Sequence, residues 1–523
     1  MARIRLNPEV AVRVEFVDRT PFGSPVAARP EQHIRGLFPA VFERFIEGGL
    51  SELVAGGTQL LAEAVGGPGF DSVAERSGPA WRIRREVLHP DPELAPPRFL
   101  SFASSKGGPS LRATLPADAW PAARRVVSAL AGRGCDPHDG DVPEPFRRLL
   151  AGLGQAGLVV EDDDQLDVGS RLPAGTDLSF LGHNTVVVRS ERSTVVLDPY
   201  LFPHSPAHPP GYQPFRVADV GHVDAVLITH SHPDHFDPGS LLQFPLETRV
   251  VVPVLERETL LAVDMARRLR ELGFTDVVSL AWGQRTSVGD VEVEALPFFG
   301  EQPTDGDVLH PDVRNNGNTY VVRTPRIAAA FLADSGRDGA GDVKHVAEAS
   351  RRRDGPVDVV FSGYRGWITY PVQLVLSSVG RYILFVPPWL WAARQRLMND
   401  VHDAVDVAER WGARWLVPYA DGGAPWHWNV GLGPRLDGQV RENPGFDPLP
   451  DRLVDAARQR VVGPDGSTTG SSTRVLLLRP GDSVIDARGD ARRVRVDGYA
   501  WPYDGAGVDV GARAGSGAGT DGG

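Results

Sequence analysis

The sequence predicts an α/β protein, an αββα sandwich preceded by a mixed α+β N-terminal domain. Three observations carry this. A short apolar run, Val223 to Ile228, reads as a buried strand and opens directly into Thr229-His230-Ser231-His232-Pro233-Asp234-His235-Phe236-Asp237. From about residue 178 onward, strand-like and helix-like stretches alternate, as expected when helices cover sheets. And 523 residues exceed one average domain.

Composition narrows the function classes. Apolar residues make up 41% of the chain, enough for ordinary cores, and the formal charge of −12 argues against a nucleic-acid partner. No run of about 18 uncharged apolar residues occurs, so no membrane span is predicted. The opening MARIRLNPEVAVRVEF carries charges where a secretion signal needs an apolar core, so a cytoplasmic protein is expected. A single cysteine, Cys135, leaves no internal disulfide and no cysteine-rich metal site.

Residues 1–172 form the expected N-terminal domain. Val10 to Phe16 reads as a strand, and 31–64 has helical spacing with Leu37, Val41, Phe45 and Ile46 on one face. Two helices follow (118–133 and 143–153), then a short strand near Val159. Helix, turn, helix and strand resemble a winged-helix module; the acidic charge favours docking or packing over DNA binding. The catalytic domain is expected over 173–445. Its strands are Leu178 to Phe180, Thr185 to Arg189, Thr194 to Leu197, Arg249 to Val252, Val277 to Leu280 and Val291 to Leu296. An amphipathic helix is expected over 255–272. The turn Asn315-Asn316-Gly317-Asn318 suggests positive φ, and leads to strands at 319–323 and 327–333. A helix (400–411) and a strand (415–418) close the domain. Residues 446–504 read as a small closing element with one helix (451–460) and one strand (474–478). The stretch 505–523, rich in Gly and Ala, reads as a disordered tail.

The chemistry is concentrated after Ile228. Side chains two apart on an extended segment point the same way, so His230 and His232 can close on one ion. Asp234 and His235 can address a second ion a few ångströms away. Four metal-competent residues within six positions indicate a dinuclear metal site rather than a polar loop.

His-x-His-x-Asp-His after a hydrophobic strand resembles the signature of the metallo-β-lactamase superfamily. Leu181-Gly182-His183 and Val195-Val196-Leu197-Asp198-Pro199 look like that fold's opening strands, where an aspartate at the position of Asp198 supports the metal loop. The resemblance covers about 178–430. It implies a further ligand after the strand ending at Leu296; the hydrolases of the family carry a histidine there. Here the sequence reads Pro297-Phe298-Phe299-Gly300-Glu301, and Glu301 is a better candidate than the distant His310. Asp334, in Asp334-Ser335-Gly336 at a strand end, matches the family's bridging aspartate. The final ligand falls near Tyr419-Ala420-Asp421, with His427 favoured and Asp421 as the alternative. His204 and His208 are expected in a pocket wall. Tyr364, Trp367 and the aromatics of 385–391 are candidates for an apolar pocket or for ordinary core.

The expected ligand set is therefore His230, His232 and Glu301 for one ion, Asp234, His235 and His427 for the other, and Asp334 shared. An added carboxylate favours higher oxidation states, whereas neutral nitrogens suit a zinc ion that acidifies water. The glutamate exchange thus resembles a smaller branch of the fold, the non-haem diiron monooxygenases of antibiotic biosynthesis. That branch implies two Fe ions, O2 and an external electron donor such as a reductase. The implied reaction hydroxylates an unactivated C–H bond of a thioester-tethered intermediate, on a carrier protein or CoA, in a homodimeric enzyme. The alternatives are a two-Zn hydrolase of a lactone, phosphodiester or thioester, and a non-catalytic binding protein with a vestigial site.

Overall fold

The computed structural model describes residues 3–16, 74–77, 80–83, 96–161, 170–201, 203, 208, 210–232, 234–258, 262–300, 316–364, 368–369, 395–396, 398–420, 450–459, 473–495 and 498–499. The N-terminal elements are β1 (Ile4–Leu6), β2 (Val10–Phe16), β3 (Ala74–Ser77), β4 (Ala80–Ile83), β5 (Pro97–Ser104), β6 (Ser110–Thr114), α1 (Trp120–Ala131), α2 (Glu144–Gln155) and β7 (Val159–Glu161). Strands β2, β5 and β6 make an antiparallel sheet, and β1 pairs with β7.

Two larger sheets follow. The first collects β8 (Leu178–Gly182), β9 (Thr185–Arg189), β10 (Thr194–Leu197), β11 (Ala225–Leu227), β12 (Arg249–Pro253) and β13 (Val277–Leu280). The second collects β14 (Arg285–Val288), β15 (Val291–Pro297), β16 (Asn318–Arg323), β17 (Ala328–Phe331), β20 (Val359–Ser362) and β23 (Trp415–Pro418), with the hairpin β18 (Arg337–Asp338) and β19 (Gly341–Asp342) lying outside it. A separate two-stranded pair is β21 (Ile368–Thr369) with β22 (Gln395–Arg396). Late strands complete both sheets. β24 (Arg474–Val475) pairs with β23, while β25 (Asp482–Ile485) pairs with β8 and with β26 (Arg492–Arg495).

Period-2 alternation decides which side chains fill which layer. Val186, Val188, Val195, Leu197, Ala225 and Leu227 of the first sheet meet Val293, Ala295, Tyr320, Val322, Phe331 and Val417 of the second in the central core. The alternate residues of the second sheet, Val321, Ala330, Val360 and Leu416, face α6 (Val343–Asp354), α7 (Val401–Trp411) and α8 (Asp451–Gln459). The outward residues of the first sheet, Val187, Val196, Val226, Val250 and Val252, share one core with α1, α2 and β5. The N-terminal elements therefore act as a covering layer of the sandwich. Arg124 of α1, itself buried, fastens that layer by donating to the carbonyls of Pro245, Leu246 and Gly273.

Three readings change. Among the described residues of 255–272 the helix is α5 (Met265–Glu271): the Asp264 carboxylate caps its start by accepting from the Arg267 N–H, and the Asp264 N–H is taken by Glu258. Helix α6 was not anticipated; Asp342 caps its start and Gly355 ends it. And residues 316–318 show no positive φ: Gly317 is required because a Cβ there would lie 2.9 Å from the Thr229 carbonyl oxygen and 3.0 Å from His230 Cβ. Among the described residues no helix is long and apolar enough to cross a membrane.

Candidate metal centre

The described candidate ligands sit just beyond the ends of strands β8, β11 and β17, the edge at which open α/β sheets usually bind ligands. One carboxylate organises the loop after β11. Asp198 Oδ1 accepts the Thr229 N–H at 2.7 Å, and Oδ2 accepts the Thr229 hydroxyl at 2.6 Å and His235 Nδ1 at 2.8 Å. With its only hydrogen given to Asp198, the Thr229 oxygen accepts from His230 Nδ1 at 3.0 Å. Both imidazoles thus turn Nδ1 to these outer partners and Nε2 toward the centre, the orientation that outer partners impose on metal-binding histidines.

Five of the expected ligands are described, and their donor atoms fall into two groups. His230, His232 and Asp334 offer atoms within 4.8 Å of one another; so do Asp234 and His235 together with His183. Asp334 Oδ2 stands 3.5 Å from His230 Nε2 and 3.4 Å from His235 Nε2, between the groups. His183 Nε2 lies 3.0 Å from Asp234 Oδ2, and the carboxamide nitrogen of Asn184 lies 2.8 Å from His235 Nε2. The Phe298 ring packs beside His230 at 5.1 Å between centroids.

The electrostatics suit a cation. Burial, helped by neighbouring His235 and His232, pushes His230 down to about 3 in spite of Asp334. Burial also disfavours a charged His235, but Asp334, Asp234 and Asp198 outweigh it and raise the group well above its ordinary value. Burial would raise Asp234 and Asp334; the attraction of His235 overrides it and holds both low. Three carboxylates facing one buried imidazole stabilise a positive charge there, whether a proton or a divalent ion in its place. Imidazole nitrogens and carboxylate oxygens in two adjoining groups fit two transition-metal ions.

Strain concentrates at the same edge. Of the non-glycine residues with positive φ among those described, His183, Asp198, Ala333 and Ala420 all adjoin the centre. Such conformations persist only where surrounding structure fixes them. Ala333 is fixed by donating its N–H to the Tyr419 hydroxyl at 2.6 Å, and Ala420 by donating to the His183 carbonyl at 3.2 Å.

Glu301, His427, Asp421, His310, His204, Trp367 and 385–391 lie outside the described residues. The chain leading to Glu301 runs beside Asp334: the Phe299 N–H donates to Ser335 Oγ at 3.0 Å, and the Gly300 N–H to Asp338 at 3.0 Å. His208 is described and packs edge-on against Tyr212 at 5.0 Å. Tyr364 is buried in the core beneath α6 and α7. Sequence reasoning did not select His183 or Asn184 for the centre. The signal was a two-residue turn, His183-Asn184, of polar side chains between two apolar strands, with Gly182 paired to Thr185.

Comparison with known proteins agrees with this geometry. The beta-lactamase superfamily domain matches residues 193–419. A 4-amino-L-phenylalanyl-[CmlP-peptidyl-carrier-protein] 3-hydroxylase of Streptomyces venezuelae is 35% identical over 190 residues, 36% of this chain and 33% of the relative. A Mycolicibacterium smegmatis protein assigned as a Rieske 2Fe-2S iron-sulfur protein is 26% identical over 326 residues, 59% of this chain and 53% of the relative. The chain thus spans about a third to a half of the length of these curated relatives. Among solved structures, CmlA, a diiron beta-hydroxylase from Streptomyces venezuelae, superposes with a TM-score of 0.60 at 20% identity, covering 94% of this chain and 99% of that one. The protein has the metallo-β-lactamase fold, and in sequence and fold it resembles the diiron β-hydroxylase of Streptomyces venezuelae.

Proposed function

We propose that the protein is an O2-dependent non-haem diiron monooxygenase that hydroxylates a C–H bond of a thioester-tethered intermediate in natural-product biosynthesis. The observation that carries this reading is the Asp334 carboxylate between two groups of nitrogen and oxygen donors, 3.5 Å from His230 Nε2 and 3.4 Å from His235 Nε2. The 35% identical relative, named for hydroxylating an aminoacyl group on a carrier protein, supports it.

In this reading His230, His232 and Glu301 hold one ion, Asp234, His235 and His427 the other, and Asp334 is shared. A reduced iron pair supplies activation of O2 and transfer of one oxygen atom to carbon. The residues of the chain do the rest. Asp198 and Thr229 aim His230 and His235, burial of the imidazoles keeps bulk water from them, and Phe298 offers an apolar wall. Asp234, with its side chain 25% exposed, marks the side open to substrate.

The partners follow from the same reading: an acyl group on a carrier protein or CoA, and a separate reductase. Self-association as a homodimer completes the proposal.

The test is metal content with an optical spectrum, on protein produced in iron-supplemented medium without chelators. Two irons per chain and a near-ultraviolet band that bleaches on reduction support the monooxygenase. Two zinc ions that persist despite excess iron would replace it with a hydrolase. Glu301→Ala is expected to lose iron and oxygenation together, and full activity in that variant would remove Glu301 from the ligand set.

A further inference from the structure

Asn184 is fully buried, and its carboxamide lies against His235, yet the mechanism leaves it without a role. Its nitrogen stands 2.8 Å from His235 Nε2, the ring atom aimed at the second ion position, while its Oδ1 is buried with no hydrogen-bond partner. A buried amide oxygen left unsatisfied costs on the order of 1–3 kcal/mol, so a buried oxygen without a partner asks for an explanation.

His235 supplies it. Its Nδ1 is engaged by the Asp198 carboxylate at 2.8 Å, so Nε2 is the atom turned toward the second ion position, and the Asn184 carboxamide nitrogen stands beside that atom. A cation at Nε2 cannot tolerate the amide N–H groups beside it. A half-turn of the carboxamide exchanges nitrogen for oxygen within the same volume and presents a neutral oxygen to the cation. The backbone is prepared for this: Asn184 occupies a two-residue turn whose partner, His183, is held at φ 50° while its ring engages Asp234.

We infer that Asn184 is an additional oxygen ligand of the second ion, reached by rotation of its carboxamide on metal binding. This rests on the two-ion reading but not on the identity of the metal. It also differs from a purely supporting role, in which Asn184 would only hold His235.

The experiment is a Co2+ titration of chelator-stripped protein, followed by visible absorption and calorimetry, on wild type, Asn184→Ala and Asn184→Asp. Circular dichroism establishes that each variant is folded. Wild type is expected to bind two Co2+. In Asn184→Ala the first step stays unchanged and the second weakens about tenfold, with a stronger visible band as the coordination number falls. In Asn184→Asp the second step tightens, because an anionic oxygen replaces a neutral one. If Asn184→Ala leaves the second step unchanged or tightens it, Asn184 is no ligand and the inference falls. If Asn184→Ala does not fold, Asn184→Asp decides alone: a second step no tighter than wild type overturns it. A wild type that binds one Co2+ defeats the two-ion reading itself, a separate outcome.

Discussion

The two donor groups are held by different parts of the fold. His230, His232 and Asp334 stand on the ends of β11 and β17, one strand from each sheet, and the Thr229 hydroxyl between Asp198 and His230 fixes the first imidazole. Asp234 and His235 are held from the other side, by the His183-Asn184 turn. Their carboxylates differ in exposure, 11% for Asp334 against 25% for Asp234, while the His230 and His235 side chains are both fully buried. The first group stands on strand ends, whereas the second is braced by a hairpin turn as well as by Asp198.

The comparison can be broken most severely at the shared residue. Asp334→Ala should lose both ions and abolish activity, read as metal per chain falling from two to none. Two normally coupled irons in that variant would refute the shared position. Next in size, Asp198→Asn should weaken both ions about 10- to 100-fold, because Thr229 and His235 hang on the same carboxylate. A loss confined to the second ion would show that the Thr229 link to His230 carries little. His183→Ala should sharpen the contrast: the second ion weakens about tenfold and the first is untouched. Equal losses at both would merge the groups into one unit. The smallest effect belongs to Gly317→Ala, whose Cβ meets Phe298 Cγ at 2.8 Å, the Thr229 carbonyl oxygen at 2.9 Å and His230 Cβ at 3.0 Å, on the side of the first group. We expect about 1–3 kcal/mol lost in thermal unfolding and a modest weakening of the first ion only.

Much of this was legible in one dimension because the signals are local. An apolar strand followed by His230, His232, Asp234 and His235 marks a candidate metal loop, since donors on one short segment need no knowledge of distant contacts. Asp334 could be found at its strand end, and period-2 alternation in Val186 to Val188 or Val250 to Val252 marked the layered sheets. The helix expected over 255–272 was overlong because its apolar spacing continues through a segment that the Asp264 cap interrupts.

What the tertiary structure decided was partnership. That Asp198, 31 residues before Thr229, orders two imidazoles at once depends on β10 and β11 lying side by side in parallel. That 473–495 supplies strands to both sheets, and that the N-terminal elements roof the first, follows from pairings and buried surfaces far apart in sequence. His183 and Asn184 carried no metal-binding pattern of their own; they join the centre only because the β8–β9 turn packs against the loop 51 residues later. A sequence specifies which side chains bind cations and which faces are apolar, while long-range pairing selects which of them meet.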